Sequence, residues 1–296
     1  MTGRDDQVAA AYVEACLAEL DALKPGNVHR FAPGHGMCLA DFVRSAESSA
    51  GPIAARGARV GIRIRDAVAA SLLAVGQNTN LGIILLCAPL AAAAAVEDVT
   101  LRPALAQVLD DLDQADAANV FAAIAAANPG GLGRADRHDV NAPATVTLRE
   151  AMAAAADRDR IARQYVTAYE DVFALGAPAV AAARERRLDE RWSTFAVYLT
   201  FLAAFPDTHI LRKHGAATAE AVRREAAAWR ETFGAARDPE EMTEGLLKWD
   251  AALKLRGVNP GTSADLTVAT LFAARLSSPR RHNCAATILP SRPKDD

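Results

Sequence analysis

Leu81-Gly82-Ile83-Ile84-Leu85-Leu86-Cys87-Ala88-Pro89-Leu90, continuing through alanines to Val96, is the longest uncharged apolar run in the chain. A membrane span needs about 20 such residues. This run is shorter and carries Pro89, so it predicts a helix buried on every side in a protein core. A core helix of that kind needs amphipathic helices around it, and the flanking sequence supplies them. Val8, Tyr12, Ala15 and Leu20 recur at helical spacing. So do Ile161, Tyr165, Tyr169, Val172 and Phe173, and again Trp192, Phe195, Tyr198, Leu199 and Leu202. Alanine, the best intrinsic helix former, is abundant. No period-2 alternation marks a strand. The expectation is an all-α, single-domain multi-helix bundle of about ten to twelve helices with short connections. It spans residues 1–276, and 277–296 reads as a flexible tail rich in proline and charge.

Bulk properties narrow the function. The 296 residues carry a net charge of −3, which disfavours nucleic acid and anionic membrane as partners. The four cysteines are scattered and form no Cys-x-x-Cys pair, which fits a reducing cytoplasm and argues against structural zinc. The N-terminus lacks the apolar segment of a signal peptide. Alanine-rich helical faces such as Ala91–Val96 leave a homodimer open.

The polar groups concentrate in the breaks between helices. Lys24-Pro25-Gly26-Asn27-Val28-His29-Arg30-Phe31, closing with Pro33-Gly34-His35-Gly36-Met37, packs two cations, two histidines, an amide and two Pro-Gly pairs into fourteen residues. Loops can hold such groups accessible on a rigid scaffold. Gln77-Asn78-Thr79-Asn80 precedes the core helix. Its side chains suit capping, and the helix start they create suits a phosphate. Asn128 to Pro143 is a long irregular segment in which Asp136 and Asp139 are candidates for Mg²⁺, and Arg134 and Arg137 for phosphate. Phe205-Pro206-Asp207-Thr208-His209-Ile210-Leu211-Arg212-Lys213-His214 gathers cations and an aspartate after a helix-ending proline, as a polyphosphate site would. Pro260-Gly261-Thr262-Ser263-Ala264-Asp265-Leu266 opens the last helix, with Thr262 or Ser263 as its N-cap and Asp265 in the first turn. Converged in one pocket, these groups suit a phosphorylated anion with a divalent cation. No P-loop is present.

The ordered set Lys24-Pro25-Gly26-x-Val28-x-Arg30, His35 and Met37, Asn78-Thr79-x-x-Gly82, Asp207-Thr208-x-Ile210 and Pro260-Gly261-x-Ser263-Ala264-Asp265-Leu266 resembles the ATP:dephospho-CoA triphosphoribosyl transferase family over about residues 10–276. The resemblance implies an all-α enzyme that joins ATP to 3′-dephospho-CoA and releases adenine. A ribose hydroxyl of the acceptor attacks the anomeric carbon of ATP's ribose through an oxocarbenium-like transition state. That chemistry needs a base, an acid, and Mg²⁺ with cations on the triphosphate. On this resemblance His35, Asp207 and Asp265 are the catalytic candidates. Lys24, Asn27, Arg30, Asn78, Thr79, Asn80, Arg134, Arg137, Arg212, Lys213, His214 and Ser263 are candidates for substrate and phosphate, and Asp207, Asp265, Asp136 and Asp139 for the metal.

The chain departs from the lyase-linked pattern at three positions. His29 replaces an aspartate, Gly36 an acidic residue and Leu81 a lysine. These changes point to a divergent branch, with a related phosphate-substrate transferase of one-carbon cofactor biosynthesis as an alternative. A metal-dependent phosphohydrolase built on His138-Asp139, with His29, His35 and Asp207 as further ligands, is a second alternative. The loop position of that doublet counts against it. A helical binding or scaffold protein is a third, and it leaves the titratable groups in the breaks unexplained.

Overall fold

The computed structural model describes residues 3–130, 133, 135 and 137–277. Thirteen α-helices account for most of them, and no strand is present among the described residues. The only ladder pairing there is two isolated bridges, His29 with Ala32 and Gly34 with Met37, in the first polar loop.

The core helix α4 (Leu81–Ala93) is surrounded as its composition requires. It packs against α2 (Leu39–Ala54), α3 (Val60–Val75), α5 (Leu101–Asp110) and α13 (Gly261–Ser277). Nearly every side chain on it is buried, as expected for a helix apolar on all faces. The helix runs through Pro89, which lacks the N–H that would bond the carbonyl four residues earlier. That carbonyl, Leu85 O, instead accepts from the Tyr165 hydroxyl at 2.6 Å. The next one, Leu86 O, accepts from the Tyr169 hydroxyl at 2.9 Å.

The two tyrosines reach neighbouring carbonyls through a backbone device that the periodicity of 161–173 conceals. Instead of one continuous helix, α8 (Arg160–Thr167) ends at Ala168 and Tyr169, both left-handed (φ 47° and 58°). A π-helical turn over Val172–Gly176 then leads into α9 (Ala177–Glu185). Helical spacing alone cannot distinguish one helix from two in register.

The core forms two clusters. One contains Tyr12, Ile53, Ile64, Ile84, Leu86, Tyr165 and Phe272, around α4. The other contains Trp192, Phe195, Tyr198, Leu199, Phe233, Trp249 and Leu253. Helix α10 (Glu190–Ala204) serves both, with Val197 and Phe201 in the first and Phe195 and Leu202 in the second. Helix α1 (Gly3–Asp21) packs on α2, α10 and α13. Helices α6 (Gln114–Ala127) and α7 (Leu148–Ala153) cover α3 and α8. Helix α11 (Thr208–Ala235) breaks at Gly215 (φ 81°), and α12 (Thr243–Leu255) lies near the first polar loop. No single helix among the described residues is long and apolar enough to cross a membrane.

Candidate active site

The starts of α4, α8, α11 and α13 meet at one cleft of about 1140 Å³, closed on its other sides by the 24–37 loop, residues 128–130 and 137–140, and apolar side chains of α3, α6 and α7. Four helix starts at one place leave amide N–H groups and positive dipole ends facing a common space. Polar side chains at each start determine which of those groups are already satisfied.

Asp207 caps α11 and is fully buried. Its Oδ1 accepts from the N–H groups of His209 (2.9 Å) and Ile210 (3.2 Å). Its Oδ2 accepts from Ser263 N–H and from the Ser263 hydroxyl, both at 2.8 Å. One carboxylate thus joins α11 to α13. Burial raises its pKa above the ordinary carboxylate value, against the pull of these four donors. A chain of hydroxyls completes the junction. Arg160 N–H, at the start of α8, donates to Thr208 Oγ1 at 3.2 Å. Thr208 and Thr262 share a hydrogen bond of 3.0 Å, and His209 N–H donates to Thr262 at 3.2 Å.

Asp207, expected as a base or a metal ligand, therefore has both carboxylate oxygens engaged as a cap. Ser263 lies with it, fully buried and outside the cleft lining. Helix α13 begins at Gly261, so Thr262 and Ser263 occupy its first turn and the capping carboxylate comes from α11.

Asp265 stands in the opposite condition. It lines the cleft, and no hydrogen bond or ion pair holds its carboxylate among the described residues. The space for it is left by Gly82 in the first turn of α4, where a Cβ would lie 2.0 Å from Asp265 Oδ2. Desolvation, reinforced by the carboxylates of Glu19, Asp207 and Asp159, raises its pKa well above the ordinary value. Of the carboxylates lining the cleft, Glu19, Asp139 and Asp159 are all engaged.

Beyond Gly82, the Asn-Thr segment acts mostly as a hinge pin. Asn78 Oδ1 accepts from Leu81 N–H at 3.2 Å, and the Thr79 hydroxyl bonds that of Ser45. Both Asn78 and Thr79 line the cleft. Asn80 does not; its amide donates to Ser45 O at 3.4 Å and to Ser49 Oγ at 3.3 Å in the core.

The 24–37 loop divides between the cleft and the interior. Asn27 and His35 line the cleft. Asn27 Nδ2 donates to Asn259 Oδ1 at 2.8 Å, and His35 Nε2 donates to Gly26 O at 2.8 Å. Lys24, expected as a phosphate ligand, is fully buried, paired with Glu19 and donating to Asn27 Oδ1 at 3.0 Å, and it does not line the cleft. Burial lowers the Lys24 pKa and raises that of Glu19, while each partner opposes the shift of the other. Arg30 turns outward to Asp21 and lies outside the cleft.

His29 is buried behind the loop, with Nε2 3.2 Å from Asp250 Oδ1 and Nδ1 accepting from Phe31 N–H at 3.3 Å. Asp250 also accepts from Gly26 N–H (2.8 Å) and Lys254 Nζ (2.9 Å). His29 therefore changes a loop anchor and not a ligand set. Of the other two departures, Leu81 lines the cleft and Gly36 has a left-handed φ of 76°.

Among the described residues the cleft cations are Arg137, Arg158, Arg212 and Lys213. Arg212 donates to Gly130 O at 3.2 Å and lies 3.6 Å from Asp159. Lys213 is exposed, and its Cε lies 3.2 Å from where a Cβ on Gly130 would stand. His214, by contrast, bonds Gly257 O at 3.1 Å outside the cleft. Asp139 lines the cleft, but its oxygens accept from Ala135 N–H (2.9 Å) and from Asn141 N–H (2.8 Å), so its work is to shape the loop. Arg134, Asp136 and the tail from 278 lie outside the described residues. No group of three His, Cys, Asp or Glu side chains able to hold a metal exists among the described residues.

Sequence reasoning missed three charged lining residues, Glu19, Arg158 and Asp159, and placed His209 in the polyphosphate stretch without giving it a role of its own. Asp159 had a signal, an aspartate two residues before the periodic Ile161; it caps α8 through Ile161 and Ala162 N–H. Arg158 comes with it. Glu19 had none, since a carboxylate inside an amphipathic helix reads as surface.

Residues 5–284 match the family model of the ATP:dephospho-CoA triphosphoribosyl transferases. None of the curated proteins is similar to the chain. Among solved structures, an Archaeoglobus fulgidus protein provisionally assigned as a triphosphoribosyl-dephospho-CoA synthase superposes with a TM-score of 0.62 at 24% identity, over 80% of this chain and 99% of that one. That likeness speaks for the fold. The sequence match covers nearly the whole chain and includes every helix start that lines the cleft, and on that ground the chain belongs to the ATP:dephospho-CoA triphosphoribosyl transferase family.

Proposed function

We propose that this cleft moves the triphosphoribosyl group of ATP onto 3′-dephospho-CoA, with Mg²⁺ accompanying the triphosphate and free adenine as the second product. The observation that carries the reading is the meeting of four helix starts and four cations around one unpaired carboxylate, Asp265. The cleft volume of about 1140 Å³ is above the usual range of roughly 300–1,000 Å³ for a single small ligand, as two substrates require.

Arg212, Lys213, Arg158 and Arg137 hold phosphate oxygens, guanidinium groups by paired donors and the lysine as a point charge. Asp265, with its raised pKa, takes the proton of the attacking ribose hydroxyl. The new C–O bond forms at the anomeric carbon as the C–N bond to adenine breaks. His35 keeps its ring fixed through Nε2 on Gly26 O and has Nδ1 left to protonate the departing base. Apolar side chains such as Leu72, Phe121 and Ile124 line the remaining wall and suit an adenine ring or an alkyl chain.

Mg²⁺ takes one or two carboxylates and completes its shell with phosphate and water. With Asp265 reserved for the proton, the ion would be carried on the triphosphate oxygens and water. When bound, the ion neutralises charge on the triphosphate. The test is incubation of the protein with ATP, Mg²⁺ and 3′-dephospho-CoA, with mass detection of adenine and of the triphosphoribosylated product. Adenine appearing only with all three components supports the reading; ATP turned over to ADP and phosphate without adenine overturns it in favour of a hydrolase.

A further inference from the structure

His209 lies in the first turn of α11, one turn before Arg212 and Lys213 and on the same face, and all three line the cleft. Its backbone N–H is taken by Asp207 and Thr262. Its ring is different. Nε2 is buried with no hydrogen-bond partner, and no described residue bonds Nδ1. A buried polar atom without a partner is costly and rare in folded proteins.

The fold also makes specific room for this ring. A Cβ on Gly261 would stand 2.3 Å from His209 Nδ1 and 3.3 Å from Cγ. A glycine at the start of α13 therefore lets a side chain from α11 lie flat against it. Burial, with Lys213 and Arg212 close by, lowers the His209 pKa to about 3, so the ring is neutral at pH 7 and offers one N–H and one lone pair. Beside the cations of α11 it is an uncharged hydrogen-bonding group whose ring has no partner among the described residues.

We propose that His209 is a substrate-contacting residue, whose imidazole hydrogen-bonds the nucleoside triphosphate held by Arg212 and Lys213. The inference rests on the reading of the cleft as a nucleotide site. It adds a neutral hydrogen-bonding group beside the cations of α11. Such a group can recognise a ribose hydroxyl or a phosphate oxygen without adding charge.

The experiment compares the parent protein with His209→Leu and His209→Asn. Leucine fills the volume and removes the unpartnered nitrogen. It should leave the melting temperature unchanged or higher, while KM for ATP rises tenfold or more and KM for 3′-dephospho-CoA stays within twofold. Asparagine places an amide near the Nδ1 position and should recover at least a third of the lost ATP affinity. Unchanged ATP kinetics in His209→Leu overturn the proposal. So does a fall in melting temperature that asparagine repairs together with activity, because that describes a structural histidine. A shift in KM for 3′-dephospho-CoA alone also overturns it.

A parent protein that releases no adenine defeats the transferase reading instead. The histidine contact is then read by ¹⁵N-histidine spectra with Mg-ATP and, separately, inorganic tripolyphosphate. A perturbed ring resonance that is absent from His209→Leu supports the contact. An unperturbed ring in a protein that binds ATP removes it.

Discussion

Asp207 and Ser263, fifty-six residues apart, are joined twice through one carboxylate oxygen, by the Ser263 N–H and by its hydroxyl, each at 2.8 Å. The other oxygen of Asp207 caps its own helix. Two helix starts that line the cleft are therefore fixed to each other by a residue that never faces the cleft.

Replacing Asp207 by alanine should lower stability by about 2–4 kcal/mol, the sum expected for losing an N-cap and leaving buried donors unpaired. Asp207→Asn should recover part of that, since its amide oxygen still accepts. Chemical denaturation measures both. A stable Asp207→Ala protein lacking only activity would return Asp207 to the chemistry.

Gly82→Ala isolates Asp265 from the fold. Alanine is favoured over glycine inside a helix by about 1 kcal/mol. Here its Cβ would lie 2.0 Å from Asp265 Oδ2 and 2.8 Å from Ile161 Cδ1. Turnover should fall at least tenfold, while the far-ultraviolet circular dichroism spectrum is unchanged. Wild-type turnover would show that the carboxylate seat is irrelevant.

Asp265 should also appear in the pH dependence. Its pKa is raised in the folded protein, so ionisation is disfavoured there relative to the unfolded chain. The associated stability is fully present below the unfolded value near 4 and is lost as pH rises through the raised folded value. Asp265→Asn should therefore melt higher than the parent at pH 8, with the gain vanishing below about pH 4, while turnover is lost at every pH. In the parent, kcat/KM should rise with pH through the same raised pKa. An acid limb at an ordinary carboxylate value would contradict the proton-accepting role.

Lys24 and Arg30 should separate cleanly although both sit in the same loop. Lys24 pairs with Glu19 in the interior, and breaking a buried pair costs about 3–5 kcal/mol, so Lys24→Met should be strongly destabilised. Arg30 pairs with Asp21 at the surface, where such a pair is worth about 0–1 kcal/mol, and Arg30→Ala should melt and turn over like the parent. A raised KM for ATP in both variants, with stability unchanged, would restore both as phosphate ligands.

Arg212→Ala and Lys213→Ala should each raise KM for ATP about tenfold, the scale of one charge-assisted hydrogen bond, with smaller changes in kcat. Added salt should weaken ATP binding in the parent more than in either variant. Chelation of Mg²⁺ by EDTA should stop adenine release, and excess Mg²⁺ should restore it.

Much of this was legible in the chain. The apolar run from Leu81 with Pro89 inside it specifies a core helix. The polar breaks mark where helices end, because proline, glycine and short polar side chains compete with helical hydrogen bonds wherever they occur. The ordered motifs point to the family. Those signals are local or cumulative, so a linear reading captures them. The break at Ala168 and Tyr169 escaped, because the tyrosines keep helical spacing while answering to carbonyls of α4 more than eighty residues away.

What the sequence by itself determined was the helical class, the positions of the breaks and the residue types gathered there. Only the tertiary structure decided which of those residues face the cleft. Asp207 and Asp265 are both aspartates near the starts of helices, and their neighbours along the chain do not say which one faces the cleft. Asp207 is consumed by Ser263 of another helix, and Asp265 sits without a partner in the space that Gly82 of a third helix leaves. Lys24 and Lys213 divide in the same way, one buried against Glu19 and the other exposed beside Arg212. A side chain's partner is set by contacts distant in sequence, and those exist only once the helices have packed.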